Sequence, residues 1–258
     1  MAEVYFLGTA GSVASARRDN TGFLVAAAGC RILVDCPGST VHKLAGIGVD
    51  FRRVRDVFFT HAHADHTAGF PTFLQSRLLV KGELRVYGHG KTLEVIRRLI
   101  RLYGLDKGGY PKTILREVSP GKAFFRRPGL KAASFPVSHL PGSLGYRFTL
   151  DNSRTLVFSG DTAYSTHVKE AARSADLLIH DCFAPERIFR RYPRLYSRHT
   201  SSLQLGIIAA ECGARTLVPV HFGTEVSYCF REILAEIRKN YGGKLIIPRD
   251  GGKLAVGR

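Results

Sequence analysis

The chain has 258 residues, 45% of them hydrophobic, and a formal net charge of +17. That length and apolar content supply one substantial core, so the expectation is one domain over residues 1–258, and no low-complexity stretch points to a disordered class. No apolar run reaches the roughly 20 residues that cross a bilayer and no basic leader precedes Glu3, so a cytoplasmic, soluble protein is expected.

The five cysteines lack Cys-x-x-Cys spacing, which argues against a zinc ribbon or a disulfide framework. The positive charge favours a polyanionic partner, through phosphate attraction and counterion release. Basic clusters stand at Arg52-Arg53, at Arg126-Arg127 and from Arg187 to Arg198, where Tyr192 and Tyr196 interleave in a way that permits base stacking.

In chain order, Glu3-Val-Tyr-Phe-Leu7 enters a strand, and Val54-Arg-Asp-Val-Phe-Phe-Thr60 reads as a buried strand ending in a tight loop. That loop is His61-Ala-His63-Ala-Asp65-His66, with four metal-binding side chains in six residues. Imidazole and carboxylate suit zinc and similar borderline ions, and alternate positions of an extended turn can serve two different ions.

A helical pattern covers Thr92 to Leu102. Ala132 to Ser138 is a strand leading to His139. Arg147 to Phe158 forms a hairpin that turns at Asp151-Asn152-Ser153, and its second strand, Thr155 to Gly160, leads to Asp161. Ala175 to His180 leads to Asp181, and Arg215 to Val220 leads to His221. Helices are expected over Leu203–Cys212 and Phe230–Lys239. Ligands at strand ends converge if the strands lie side by side, because loops at one sheet edge share one crevice. For Asp161 and His199 the competing reading is helix capping.

The order His61-Ala-His-Ala-Asp-His66, His139, Asp161, His221 resembles the metallo-β-lactamase superfamily. Within it the chain resembles the ribonuclease Z branch, through Phe6-Leu-Gly-Thr-Ala-Gly11, Asn20-Thr-Gly22, Val34-Asp35-Cys36, Gly145-Tyr-Arg-Phe148 and Ser159-Gly-Asp-Thr162. Leu178-Ile-His-Asp-Cys182 stands where that branch has a His-acid motif, and His199-Thr-Ser-Ser202 where it has a further catalytic His.

The resemblance implies an α/β fold, the αββα sandwich of two mixed sheets flanked by helices. It implies two zinc ions, with manganese, iron or cobalt accepted by the same ligands: His61, His63 and His139 on one, Asp65, His66 and His221 on the other, Asp161 bridging. A metal-bridged hydroxide would attack a phosphodiester while His199, oriented by Asp181, protonates the leaving oxygen. Asp65, Asp181 and His199 form the implied catalytic set. RNA or a nucleotide phosphodiester is the implied substrate, and a homodimer the implied assembly.

Two departures stand out. The substrate-gripping arm of transfer-RNA processing enzymes has no room between Tyr146 and Asp161, and His221 is followed by Phe-Gly-Thr-Glu-Val instead of an Arg-Tyr pair. Processing of transfer-RNA 3′ ends therefore competes with hydrolysis of cyclic nucleotides or other small phosphodiesters. A lactone or thioester acyl hydrolase and a non-catalytic nucleic-acid-binding protein are the readings of other classes.

Overall fold

The computed structural model describes residues 2–150 and 153–256. Its first sheet is built mainly from the N-terminal half: β1 (Glu3–Gly8), β2 (Gly22–Ala27), β3 (Cys30–Val34), β4 (Asp56–Phe58), β5 (Glu83–Gly88) and β6 (Lys112–Glu117). The second contains β7 (Ala123–Arg127), β8 (Leu130–Pro136), β9 (Leu144–Leu150), β10 (Thr155–Phe158), β11 (Leu177–Asp181), β12 (Thr216–Val220) and β13 (Lys244–Leu245). The last strand, β14 (Lys253–Ala255), returns to pair with β1, so the first sheet runs β14-β1-β2-β3-β4-β5-β6 and the second β13-β12-β11-β10-β9-β8-β7. Both mix parallel and antiparallel pairs.

Alternation along each strand explains the layering. In β3, Ile32 and Val34 face the second sheet while Leu33 faces the outer helices; β4 and β11 divide their side chains in the same way. The inner layer is aromatic, centred on Phe58, whose ring lies 5.0 Å from Tyr87 and 5.4 Å from Tyr146. On the outer face of the first sheet pack α1 (Thr40–Gly46), α3 (Phe70–Gln75), which follows the short α2 (Ala64–Thr67), and α4 (Gly90–Leu102). The second sheet is covered by α5 (Thr166–Ala171), α7 (Ser202–Glu211) and α8 (Phe230–Arg238), with α6 (Glu186–Arg191) between α5 and α7 in the chain. This is the expected αββα arrangement.

The helices foreseen at Thr92, Leu203 and Phe230 lie within one or two residues of their predicted bounds. Four residues connect β9 to β10; Asp151 and Asn152 of the expected turn lie outside the described residues, while Ser153 has φ 60° and donates its amide to the Leu150 carbonyl. No arm is inserted there. Parallel pairing brings the ends of β10, β11 and β12 to one edge of the second sheet, and contacts of His61, which follows β4, with Asp161 bring the end of β4 to the same edge. Cross-sheet ties fix that edge: Leu144 donates its amide to the Thr60 carbonyl, and the Tyr146 hydroxyl donates to the Phe59 carbonyl at 2.6 Å.

Candidate metal centre

The apolar strand β4 ends at Phe58, and Thr60 begins the loop that carries the histidine-rich stretch. His63 takes an extended φ/ψ and precedes α2, so Asp65 and His66 ride on the first turn of a short helix while His61 stays on the strand's extension. This break from strand to helix is what lets one six-residue stretch serve two centres.

The first group joins His61, His63, His139 and Asp161. His61 Nε2 lies 3.0 Å from His63 Nδ1, and His63 Nδ1 lies 3.1 Å from His139 Nε2. Asp161 Oδ2 stands 3.6 Å from His61 Nε2 and 3.8 Å from His139 Nε2. The second group joins Asp65, His66, Asp161 and His221. Here Asp161 Oδ2 is 3.4 Å from His66 Nε2 and 3.0 Å from His221 Nε2, while Asp65 Oδ2 is 3.3 Å and 3.6 Å from the same nitrogens. One oxygen, Asp161 Oδ2, belongs to both groups.

These spacings fit a cation. Donors about 2.0–2.1 Å from a tetrahedral ion lie roughly 3.3 Å from one another, in the middle of the observed range. His66 Nε2 and His221 Nε2 are buried, and neither makes a hydrogen bond despite the carboxylate oxygens beside it. Buried polar atoms without partners are costly, and a shared cation would satisfy both. Nitrogen and oxygen donors accept zinc, manganese, iron or cobalt alike.

Further contacts orient the rings. Asp35, fully buried, stands 2.8 Å from His66 Nδ1 and accepts hydrogen bonds from the amide and hydroxyl of Thr60. Thr60 Oγ1 lies 3.0 Å from His61 Nδ1, and His139 Nδ1 lies 2.8 Å from the Arg198 carbonyl. Such outer contacts set tautomer and ring direction in metal sites. Asp35 and His221 both occupy the left-handed region, at φ 57° and 64°, a strain that non-glycine residues hold where surrounding structure imposes it.

Charge is balanced within the cluster. Burial opposes protonation of His221, but Asp161 and Asp65 outweigh it and push the ring up to about 10. His66 likewise is held well above the usual histidine range by Asp161 and Asp35 against the effect of burial. His61 goes the other way, well below, because burial and the neighbouring His66 both disfavour its charge. Asp161 stays well below the usual carboxylate range, since His221 and His66 overcome its burial.

Asp181 and His199 flank the second group. His199 Nδ1 is 3.0 Å from Asp181 Oδ2, which also accepts the Thr162 amide at 3.0 Å. The His199 ring stacks on His221 at 5.1 Å and on Phe183 at 4.9 Å, and lies 5.2 Å from the His139 ring. Asp181 is the last residue of β11, one position inside the strand that was expected to end at His180.

Neither capping alternative describes the molecule. Helix α5 begins after Ser165, four residues beyond Asp161, and α7 is capped by Ser201, whose hydroxyl and Gln204 form a capping box. All the site residues named from sequence therefore meet at one edge. Asp35 and the Arg198 carbonyl were not assigned a role there. The strand-end position of Asp35, after Val34, was the available signal.

Of the basic clusters, Arg187 pairs with Glu232 and Arg52 with Asp50. The Tyr196 hydroxyl donates to Glu186 at 2.5 Å and its half-buried ring packs on Phe189. Tyr192 is exposed. Among the cysteines, Cys36, Cys182 and Cys212 are buried and Cys229 is exposed. Among the described residues no helix is long and apolar enough to cross a membrane.

Residues 30–222 match the profile of the Beta-lactamase superfamily domain. The chain is 30% identical to a ribonuclease Z of Bradyrhizobium, covering 92% of this chain and 94% of that protein. It is 23% identical to the ribonuclease Z of Archaeoglobus fulgidus over 95% and 94% of the two chains, in an alignment of 293 positions that exceeds this chain's length. The metallo-β-lactamase fold protein YhfI of Bacillus subtilis has the same fold, with a TM-score of 0.84, 24% identity and 98% of each chain covered. The chain thus belongs to the metallo-β-lactamase superfamily and, within it, to the ribonuclease Z group of metal-dependent hydrolases.

Proposed function

We propose that this protein, acting as one domain, hydrolyses a phosphodiester bond in RNA, with His61, His63 and His139 holding one divalent cation, Asp65, His66 and His221 a second, and Asp161 shared between them. Two such cations supply a hydrolytic nucleophile at neutral pH and neutralise charge on the phosphoryl oxygens. Zinc is the expected metal.

The chain's own groups do the rest. Asp35, Thr60 and the Arg198 carbonyl fix His66, His61 and His139 respectively, so that their donor atoms converge before substrate arrives. Asp181 occupies Nδ1 of His199, which directs Nε2 toward the leaving oxygen as its proton donor. Contacts of the His199 ring with both Phe183 and His221 hold the ring plane while it does so.

The observation that carries this reading is the Asp181–His199 pair beside a double donor cage with a common vertex at Asp161 Oδ2. A lone cage would suit many hydrolyses. The pair adds an acid suited to protonating a departing alkoxide. That the relatives are ribonucleases Z supports RNA as substrate. The four-residue connection from β9 to β10 supports the second reading, a cyclic nucleotide or other small phosphodiester, because it is too short to form an arm that grips a folded RNA.

End-labelled precursor transfer RNA, incubated with zinc- or manganese-loaded protein and with the Asp65→Ala variant as control, separates the two. A single metal-dependent cut near the 3′ end of the mature domain is the expected result. Turnover of cyclic nucleotides without any RNA cut moves the substrate to the small phosphodiesters.

A further inference from the structure

Beside His199 lies a cavity of about 510 Å³ whose wall is continuous with the proposed acid. Phe183 forms part of that wall, and the same ring stacks on His199 at 4.9 Å with 21° between the planes. Tyr192, Leu195 and Val226 make the lining largely apolar, and Arg191 and Arg194 also line it. Tyr192 is 48% exposed although its ring is large and apolar, and the guanidinium of Arg191 sits 5.6 Å from its centroid.

Phe183 is held in place from two sides. Its amide donates to the Thr200 carbonyl, and its carbonyl accepts from the Gly223 amide, which ties it to the segments bearing His199 and His221. Position 223 requires glycine: a Cβ there would stand 2.5 Å from the Phe183 ring. The ring is thus fixed where it both touches the acid and lines the cavity.

We propose that this cavity is a nucleobase subsite, and that it receives the base of the nucleoside whose oxygen leaves. Three features point to that occupant. The flat apolar walls offered by Phe183 and Tyr192 suit a planar ring, and base–aromatic stacking tolerates any base. Arg191 and Arg194 in the lining match the phosphate on the side of such a nucleoside away from the scissile bond. Because His199 protonates the leaving oxygen, a pocket that shares a wall with His199 lies on the leaving side of the phosphorus. Glu225, also in the lining, disfavours a phosphate inside the cavity and offers an acceptor for the amino edge of a base. The inference rests on the phosphodiesterase reading above and deepens it.

The test uses the metal-loaded protein with a dinucleoside monophosphate and its two forms lacking one base, on either side of the phosphate. Removal of the leaving-side base should lower kcat/KM about tenfold, and removal of the other base should do less. In Tyr192→Ala, whose exposed position leaves the core intact, the ratio between intact and leaving-side abasic substrates should shrink. Saturation-transfer NMR on metal-stripped protein gives a readout without turnover: protons of the leaving-side base should receive saturation from the protein, and less in Tyr192→Ala.

Equal indifference to both bases, in a protein that still hydrolyses the dinucleotide or bis(4-nitrophenyl) phosphate, overturns the subsite and leaves the phosphodiesterase standing. No hydrolysis of any of these overturns both. A dimer in analytical ultracentrifugation that Tyr192→Ala dissociates assigns the cavity to a second copy and likewise overturns the subsite.

Discussion

Asp35 Oδ2 and His66 Nδ1 stand 2.8 Å apart, both residues fully buried, and the Asp35 backbone takes φ 57° where its carboxylate meets the nitrogen edge of the ring. The same carboxylate accepts the Thr60 amide and hydroxyl, and Thr60 in turn touches His61 Nδ1. One acid therefore orients a histidine in each donor group.

Asp35→Asn is expected to weaken metal binding by about 10- to 100-fold, the usual effect of removing an outer partner of a metal-ligating histidine. Competition with a chromophoric chelator measures it. Wild-type affinity in the folded variant would show that Asp35 serves stability alone.

His199→Ala should retain its metal and lose kcat by about 10²- to 10⁴-fold, the range of general acid–base catalysis. Asp181→Asn should reproduce part of that loss, because the amide cannot hold the imidazolium as a carboxylate does. Metal content by mass spectrometry, taken beside the pH–rate profile, separates the roles. If His199→Ala loses metal in step with rate, it is a ligand and not the acid.

The metal-stripped protein should lose stability as pH rises above neutrality. The folded His221 ring sits at about 10, above its ordinary value of about 6.5. A raised value contributes stability that is complete below the unfolded value and is lost as pH rises through the folded one, here from about pH 6.5 to about pH 10. His66, also raised, adds in the same direction. Metal binding requires both rings neutral, so zinc uptake at pH 7 should release protons into a weakly buffered solution. Melting temperatures across that interval, and a pH electrode during titration, check the two halves.

Phe58→Ala should destabilise the fold by about 3–5 kcal/mol, the range for truncating a large buried aromatic. Its ring meets those of Tyr87, Phe124, Phe125, Tyr146 and Phe148 between the sheets. Chemical denaturation measures the loss. Because Phe58 lies two residues before Thr60, metal affinity should fall with stability.

Much of this was legible because the strands behind the site are buried on both faces. Such strands read as continuous apolar runs, and an His or Asp at the end of each run stands out against it, as at His61, Asp161 and His221. The helices over Gly90–Leu102 and Phe230–Arg238 were legible for the opposite reason, a strong division between polar and apolar faces. Asp35 was harder: it follows an apolar run as the others do, but only the fold brings it under His66, 31 residues away in the chain. The Arg198 carbonyl carries no side-chain signal. Tyr192 and Tyr196 share one sequence pattern but not one setting, since only Tyr196 ties its hydroxyl to Glu186 and packs its ring on Phe189.

The most direct measurement is the metal content and the bis(4-nitrophenyl) phosphate turnover of the wild type and Asp161→Ala, taken on the same folded preparations. Asp161 Oδ2 is the vertex common to both donor groups. Two divalent ions per wild-type chain with metal-dependent turnover, and the loss of both in the variant, is the predicted result. A folded Asp161→Ala protein that keeps two ions and the wild-type rate would contradict the account.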